Sequence, residues 1–129
     1  PMPPSGRETR RIADAVRHIE AHAAEPIALA GLAALANVSK YHFLRIFRRA
    51  IGMTPYQYLL AARMRRAAVS LAGSSDTVLS IALDSGFGDL STFNARFRSI
   101  FGVTPTAYRS AFAGRRTTET TKGKRNRPN

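Results

Sequence analysis

The sequence contains no cysteine, and its acidic residues are few: 8 Asp and Glu against 20 Lys and Arg in 129 residues. Without thiols this chain can build no disulfide framework, no thiolate zinc site and no cysteine nucleophile. It also lacks any apolar run near the roughly 18 residues that a membrane-spanning helix requires, and no charged-then-apolar leader opens it. Serine elbows of the Gly-x-Ser-x-Gly kind, phosphate-binding glycine loops and paired carboxylates are missing too. The expectation is therefore a soluble, cytoplasmic, non-enzymatic chain with no catalytic residue, cofactor or metal.

What is there is positive charge. The net charge of +12 predicts a polyanionic partner, nucleic acid first and anionic lipid second. Between Glu25 and Asp76 no acidic residue occurs, whereas Lys40, Arg45, Arg48, Arg49, Arg63, Arg65 and Arg66 all fall there. After Ala113 come Arg115, Arg116, Lys122, Lys124, Arg125 and Arg127 against Glu119 alone. Without that tail the body still has 14 basic residues against 7 acidic ones, so its basic character is intrinsic.

The second positive feature is a repeat. The segment from Phe43 to Tyr58 returns fifty positions later from Phe93 to Tyr108, with Phe43/Phe93, Phe47/Phe97, Arg48/Arg98, Gly52/Gly102, Thr54/Thr104, Pro55/Pro105 and Tyr58/Tyr108 identical. Such self-similarity means one supersecondary unit built twice. In the first copy Phe43, Ile46, Phe47 and Ala50 recur at helical spacing and predict a buried face. In the second copy Phe93, Phe97 and Ile100 do so. Ser39 and Asp89 stand where N-caps belong, and Asn37 and Gly86 can take the left-handed backbone of a tight turn after a short preceding helix. Helix, tight turn, helix is thus predicted twice.

Taken in order, residues 1–7 read as a linker, followed by an amphipathic helix from Arg7 or Glu8 to Ala23 carrying Ile12, Val16 and Ile19. Leu29, Leu32, Ala33 and Leu35 make a short helix whose cap position holds Ala28, a weak capper. The first helix-turn-helix subdomain is expected over 8–53 and a long linker helix, opened by Thr54-Pro55, over 54–72. A second subdomain is expected over 73–113, and a disordered basic tail over 114–129. Each repeat alone is too small to be comfortably stable, so the units are expected to share helices. No strand signal competes: the fold class is all-α, with seven helices.

The outward side of the first repeated helix offers Tyr41, Leu44 and Arg45. A guanidinium donates two hydrogen bonds to guanine O6 and N7, which makes Arg45 the expected base reader, with Tyr41 and Leu44 against thymine methyls or sugars. Arg48 and Arg49, on the flanks with Lys40, suit phosphates, and His42 is a helix-start or phosphate-contact residue. The second helix presents Leu90, Ser91, Thr92 and Ala95 for base readout, and Arg96 and Arg98 for the backbone. Ala95 stands where the first copy has Arg45, so the second unit is expected to depend more on backbone contacts and shape. His18 and His22, four apart, could chelate a metal, but without neighbouring Cys they read as two exposed helix residues.

Leu32-Ala33, Ser39, Phe43, Arg45, Phe47, Gly52 and Thr54-Pro55-Tyr56-Gln57-Tyr58-Leu59 form a recognisable pattern. So do Ile81-Ala82, Gly86-Phe87, Phe93, Phe97, Gly102-Val103-Thr104-Pro105 and Tyr108-Arg109. Together, from about Ile27 to Arg109, they resemble the DNA-binding domain of the AraC/XylS family of bacterial transcription regulators. The resemblance implies a seven-helix domain with two helix-turn-helix subdomains joined by a long helix, each recognition helix entering one of two successive major-groove segments of bent DNA. It carries base reading onto Tyr41, Leu44, Arg45, Leu90, Ser91, Thr92 and Ala95. Asn37, Ala28 and Ala95 depart from the family's usual Gly, Ser or Thr, and basic residue. Double-stranded DNA and RNA polymerase are the expected partners, and this domain on its own is expected to be monomeric and nucleoid-associated. A nucleoid protein without sequence preference is the alternative from another class. An accessory domain of a Cys-dependent repair enzyme is a further one, its activity necessarily outside this chain.

Overall fold

Seven α-helices and no strand make up residues 5–112, the part of the chain that the computed structural model describes. The helices are α1 (Gly6–His22), α2 (Leu29–Leu35), α3 (Lys40–Ile51), α4 (Pro55–Gly73), α5 (Val78–Asp84) and α6 (Leu90–Phe101), with α7 covering 105–112. The chain divides into two compact units, and the division falls inside α4, between Arg65 and Arg66. The expected tail, 114–129, lies outside the described residues.

Side-chain caps set most of the helix starts. Ser5 and Glu8 form a reciprocal capping box on α1, and Thr54 and Gln57 form another on α4, with Thr54 N–H donating to Gln57 Oε1 at 2.9 Å and Gln57 N–H to Thr54 Oγ1 at 3.1 Å. Ser39 caps α3, Thr77 caps α5, Asp89 caps α6 and Thr104 caps α7. Ala28 gives α2 no side-chain cap, as its lack of a side-chain oxygen requires. Because Ser5 is the cap, α1 begins at Gly6, and residues 5–7 belong to a helix start where a linker was expected.

The first unit buries Ile12, Ala15 and Ile19 of α1, Leu32 and Ala33 of α2, Phe43, Ile46 and Phe47 of α3, and Leu59 and Ala62 of α4 in one cluster. The second buries Ala67, Ala68 and Leu71 of α4, Ile81 and Ala82 of α5, Phe87, and Phe93 and Phe97 of α6. The duplication extends to ring geometry. Phe43 and Phe47 lie 5.6 Å apart at 48°, Phe93 and Phe97 5.7 Å apart at 46°. Tyr58 meets Phe47 edge-on at 78°, and Tyr108 meets Phe97 edge-on at 77°. Edge-to-face contacts of this kind add about 0.5–1.5 kcal/mol beyond area burial.

The repeat also reaches further back than Phe43. The buried positions Ile12, Ala15 and Ile19 of α1 have the spacing of Met64, Ala67 and Leu71 in α4. The second half of α4 thus does for the second unit what α1 does for the first, which is the helix sharing expected from the short length of each copy. An arginine locks this helix end in each case. Arg63 donates from Nε to Ala23 O at 2.7 Å and from Nη2 to Glu25 O at 3.0 Å, just after α1. Arg109 donates from Nε to Leu71 O at 3.2 Å and from Nη2 to Ser74 O at 3.3 Å, at the end of α4.

Two helical faces are narrower than their periodicity implied. Ala50 is exposed, and Ile100 retains 47% of its accessible surface. Both sit in the last turn of their helices, beyond the reach of the elements that cover Phe43 and Phe93. Leu35 is likewise outward, at 60% exposure.

Candidate nucleic-acid interface

The turn between α2 and α3 decides what α3 can present. Asn37 has φ 57°, its N–H donates to Ala34 O at 3.0 Å, and the N–H of Val38 reaches back to Ala33 O at 3.1 Å. Gly86 (φ 103°) donates to Leu83 O at 3.1 Å and Phe87 N–H to Ala82 O at 3.0 Å, the same double closure before α6. This pattern ends a helix sharply and places a hydrophobic residue, Val38 or Phe87, just after the left-handed position. Phe87 is buried against Phe93 with ring centroids 5.1 Å apart. The next helix then starts at Ser39, whose Oγ accepts the N–H of His42, or at Asp89, whose Oδ1 accepts the N–H of Thr92. The repeated unit is a helix-turn-helix in both places.

With Phe43, Ile46 and Phe47 buried, the opposite side of α3 faces out. Tyr41 is 76% exposed, and Lys40, Arg45, Arg48 and Arg49 are exposed without an ion-pair partner among the described residues. Two expected contacts behave differently. Leu44 is half-buried and lines an apolar hollow with Ile27, Leu29, Pro55, Tyr56 and Leu59, so its side chain is turned toward the protein. His42 is half-buried, and its Nε2 lies 3.5 Å from Glu8 Oε2 of α1.

On α6, Ser91, Thr92, Ala95, Arg96 and Arg98 are exposed, while Leu90 is half-buried. The hydroxyl of Thr92 donates to Asp89 Oδ2 at 3.0 Å, so its proton is spent inside the cap. The N–H of Thr92, followed by that hydroxyl, holds the Asp89 carboxyl below its usual range. Asn94, exposed and polar, occupies the place of Leu44 in the other copy. Aligning the two helices position by position would have found it, because it is the α6 side chain best equipped to donate and accept at once.

The arginine-rich stretch from 63 to 66 is not uniformly available. Arg63 is bonded to carbonyls, and burial lowers its pKa. Arg65 donates to both oxygens of Glu20, at 2.9 and 2.8 Å, and its guanidinium lies 5.6 Å from the centroid of the Tyr58 ring. Tyr58 donates to the same carboxylate at 3.1 Å, and desolvation followed by that contact raises its pKa. Charge counted in the sequence as one basic run is here spent on joining α1 to α4. His18 and His22 stack with centroids 4.5 Å apart, and His22 Nδ1 meets Glu25 Oε2 at 2.8 Å. Among the described residues no group of three His, Cys, Asp or Glu could hold a metal ion, and no helix is long and apolar enough to cross a membrane.

Two basic helices, each held by a preceding helix and a tight turn with its polar face outward, define a double helix-turn-helix domain. The helix-turn-helix domain family model matches residues 32–111. Over 101 residues the chain is 37% identical to the TetD protein of transposon Tn10 from Escherichia coli, covering 78% of this chain and 73% of that one. Several other curated relatives are longer, and the chain spans between 27% and 37% of their length. Among solved structures, an AraC-type regulator from Chromobacterium violaceum is similar at TM-score 0.77 and 30% identity, covering 81% of this chain and 94% of that one. The DNA-binding domain of AdpA, a global transcriptional factor solved with a target DNA, is similar at TM-score 0.73 and 32% identity over 88% of this chain and 98% of that one. The chain belongs to the AraC/XylS family of transcription regulators, as a sequence-specific DNA-binding domain.

Proposed function

We propose that α3 and α6 enter successive major-groove segments of a promoter site, and that the first unit does most of the direct base reading. The observation that carries this reading is the difference between two otherwise matched helices. Arg45, exposed and unpaired among the described residues, stands opposite the buried face of α3, and Ala95 takes its place in α6. Arg45 reads guanine O6 and N7, with Tyr41 beside it against thymine methyl or sugar. Leu44 acts on the edge of this surface, since its side chain is half in the hollow.

In the second unit Ser91, Thr92 and Leu90 border the bases, Ala95 permits close approach, and Asn94 is added as the residue able to pair with adenine N6 and N7. Lys40, Arg48, Arg49, Arg96 and Arg98 hold phosphates and fix the register. His42 joins them only when it leaves Glu8. The first subdomain runs from the Ser5 cap to residue 53 and the second from 74 to 113, with 54–73 as the linker helix and 114–129 as a basic tail. The domain binds as a monomer on the nucleoid in the cytoplasm, and RNA polymerase is the protein partner at the promoter.

Selection of binding sites from a random duplex pool tests the reading. The unmodified chain returns a two-part motif, and Arg45→Ala costs about 1–3 kcal/mol on the selected site and relaxes one position of it. A pool that returns no motif would favour a nucleoid protein without sequence preference.

A further inference from the structure

The recognition helix of the first unit has a neighbour on one flank. The contact of His42 Nε2 with Glu8 Oε2, at 3.5 Å, brings the first turn of α1 beside the first turn of α3. Glu8 is otherwise committed to its capping box. Its Oε1 accepts the N–H of Ser5 at 3.1 Å, and its own N–H donates to Ser5 Oγ at 3.1 Å. That box fixes the backbone from which Arg7, Arg10 and Arg11 project, all within three residues of Glu8. Arg7 and Arg10 are exposed and Arg11 is half-buried, and none has an ion-pair partner among the described residues. Arg17, further along the same helix, differs in being paired with Asp14. On α3 the side marked by His42 continues through Arg45 and Arg49, three and seven residues on. One carboxylate, engaged twice, stands among three arginines in the first turns of α1, at the positive end of a helix dipole, so this end of the helix is net positive.

We propose that this corner is a phosphate-binding surface: Arg7, Arg10 and Arg11 of α1 hold the sugar-phosphate backbone of the duplex whose bases α3 reads, on the side of α3 marked by His42 and Arg49. The proposal rests on the DNA-binding reading above and extends it to a helix outside residues 32–111, the stretch that the family model matches. Phosphate contacts of this kind add affinity and fix orientation but carry no sequence information. Glu8 keeps the corner shaped by holding both the α1 cap and the His42 ring.

The test is the salt dependence of binding by the full chain to its selected duplex, in which each phosphate contact contributes about 0.9 to the log–log slope. Arg7→Gln/Arg10→Gln/Arg11→Gln together are expected to make the slope shallower by roughly 1–3, with the selected motif unchanged. Arg17→Gln, removing one charge from the same helix, is expected to leave it alone. Arg10→Gln alone, at an exposed site, gives the same readout with minimal disturbance of the fold and is expected to shift the slope by about 0.9 or less. An unchanged slope in the triple and single variants overturns the proposal, as does an equal change per charge in Arg17→Gln. Vesicle binding, measured with phosphatidylglycerol, that depends on these arginines while the DNA slope does not would assign the corner to lipid and also overturn it. The functional reading fails separately, if the unmodified chain selects no motif.

Discussion

Arg63 lies in the stretch that carries no acidic residue, yet its guanidinium turns inward onto Ala23 O and Glu25 O, carbonyls left over where α1 ends. An ammonium is a point donor and cannot span both carbonyls as a planar guanidinium does. Arg63→Ala is expected to destabilise the first unit by about 1–3 kcal/mol, and Arg63→Lys to recover only part of that, as read by chemical unfolding. Asp89 makes the complementary case. Its folded pKa is lowered by the Thr92 N–H and hydroxyl, so its contribution is complete above the ordinary carboxylate range and is lost as pH falls through the lowered value. Ser39 makes the corresponding cap on α3 with a hydroxyl that does not titrate. In an acid titration followed by amide exchange, the first turn of α6 is therefore expected to loosen while that of α3 holds. Asp89→Asn is expected to flatten this difference.

Among the elements, the two recognition helices are bounded by the same devices at both ends. Gly52 and Gly102 end α3 and α6 at φ 86° and 78°, and their N–H groups donate to Arg48 O and Arg98 O. A Cβ added at either glycine would meet nothing within 4 Å, so any cost of a side chain there is a backbone cost. Gly52→Ala and Gly102→Ala are each expected to lower stability by about 1–2 kcal/mol, the penalty of an L-residue in the left-handed region, in thermal or urea unfolding. Equal losses would reflect equal geometry. Helix α4 plays two parts at once: its first turns complete one core as α7 does in the other copy, and its last turns open the second core as α1 opens the first. Its two buried stretches, Leu59 and Ala62 and then Ala67 and Leu71, explain why neither repeat needs a full set of helices of its own.

For the molecule as a whole, the relevant charge is smaller than the formal +12. Arg63, Arg65, Arg109 and Arg17 are occupied within the fold, while Lys40, Arg45, Arg48, Arg49, Arg96 and Arg98 remain on the two candidate helices. If those six meet phosphates or base edges, affinity is expected to fall about a thousandfold between 50 and 200 mM salt, measured by fluorescence anisotropy on the selected duplex. A loss of less than tenfold would mean that most of the six do not touch the duplex.

Periodicity, caps and turn residues by themselves determined seven helices, the duplicated unit, the cap residues Ser39 and Asp89, and the left-handed positions Asn37 and Gly86. All of these are local: a cap reaches three residues, and a 3.6-residue period is visible within one helix. The capping role of Ser5 was equally local, with Glu8 three residues on, but a proline-rich start drew the linker boundary past it. Only tertiary structure decided which side chains were already engaged. Leu44 was assigned outward by its angle on α3, and the start of α4 and the segment before α2 closed a hollow around it. Arg65 counted as free charge until Glu20, forty-five residues away, took it. His42 met Glu8 across a gap of thirty-four. Partners that far apart are set by how helices pack, and packing leaves no periodic trace in the residues that it brings together.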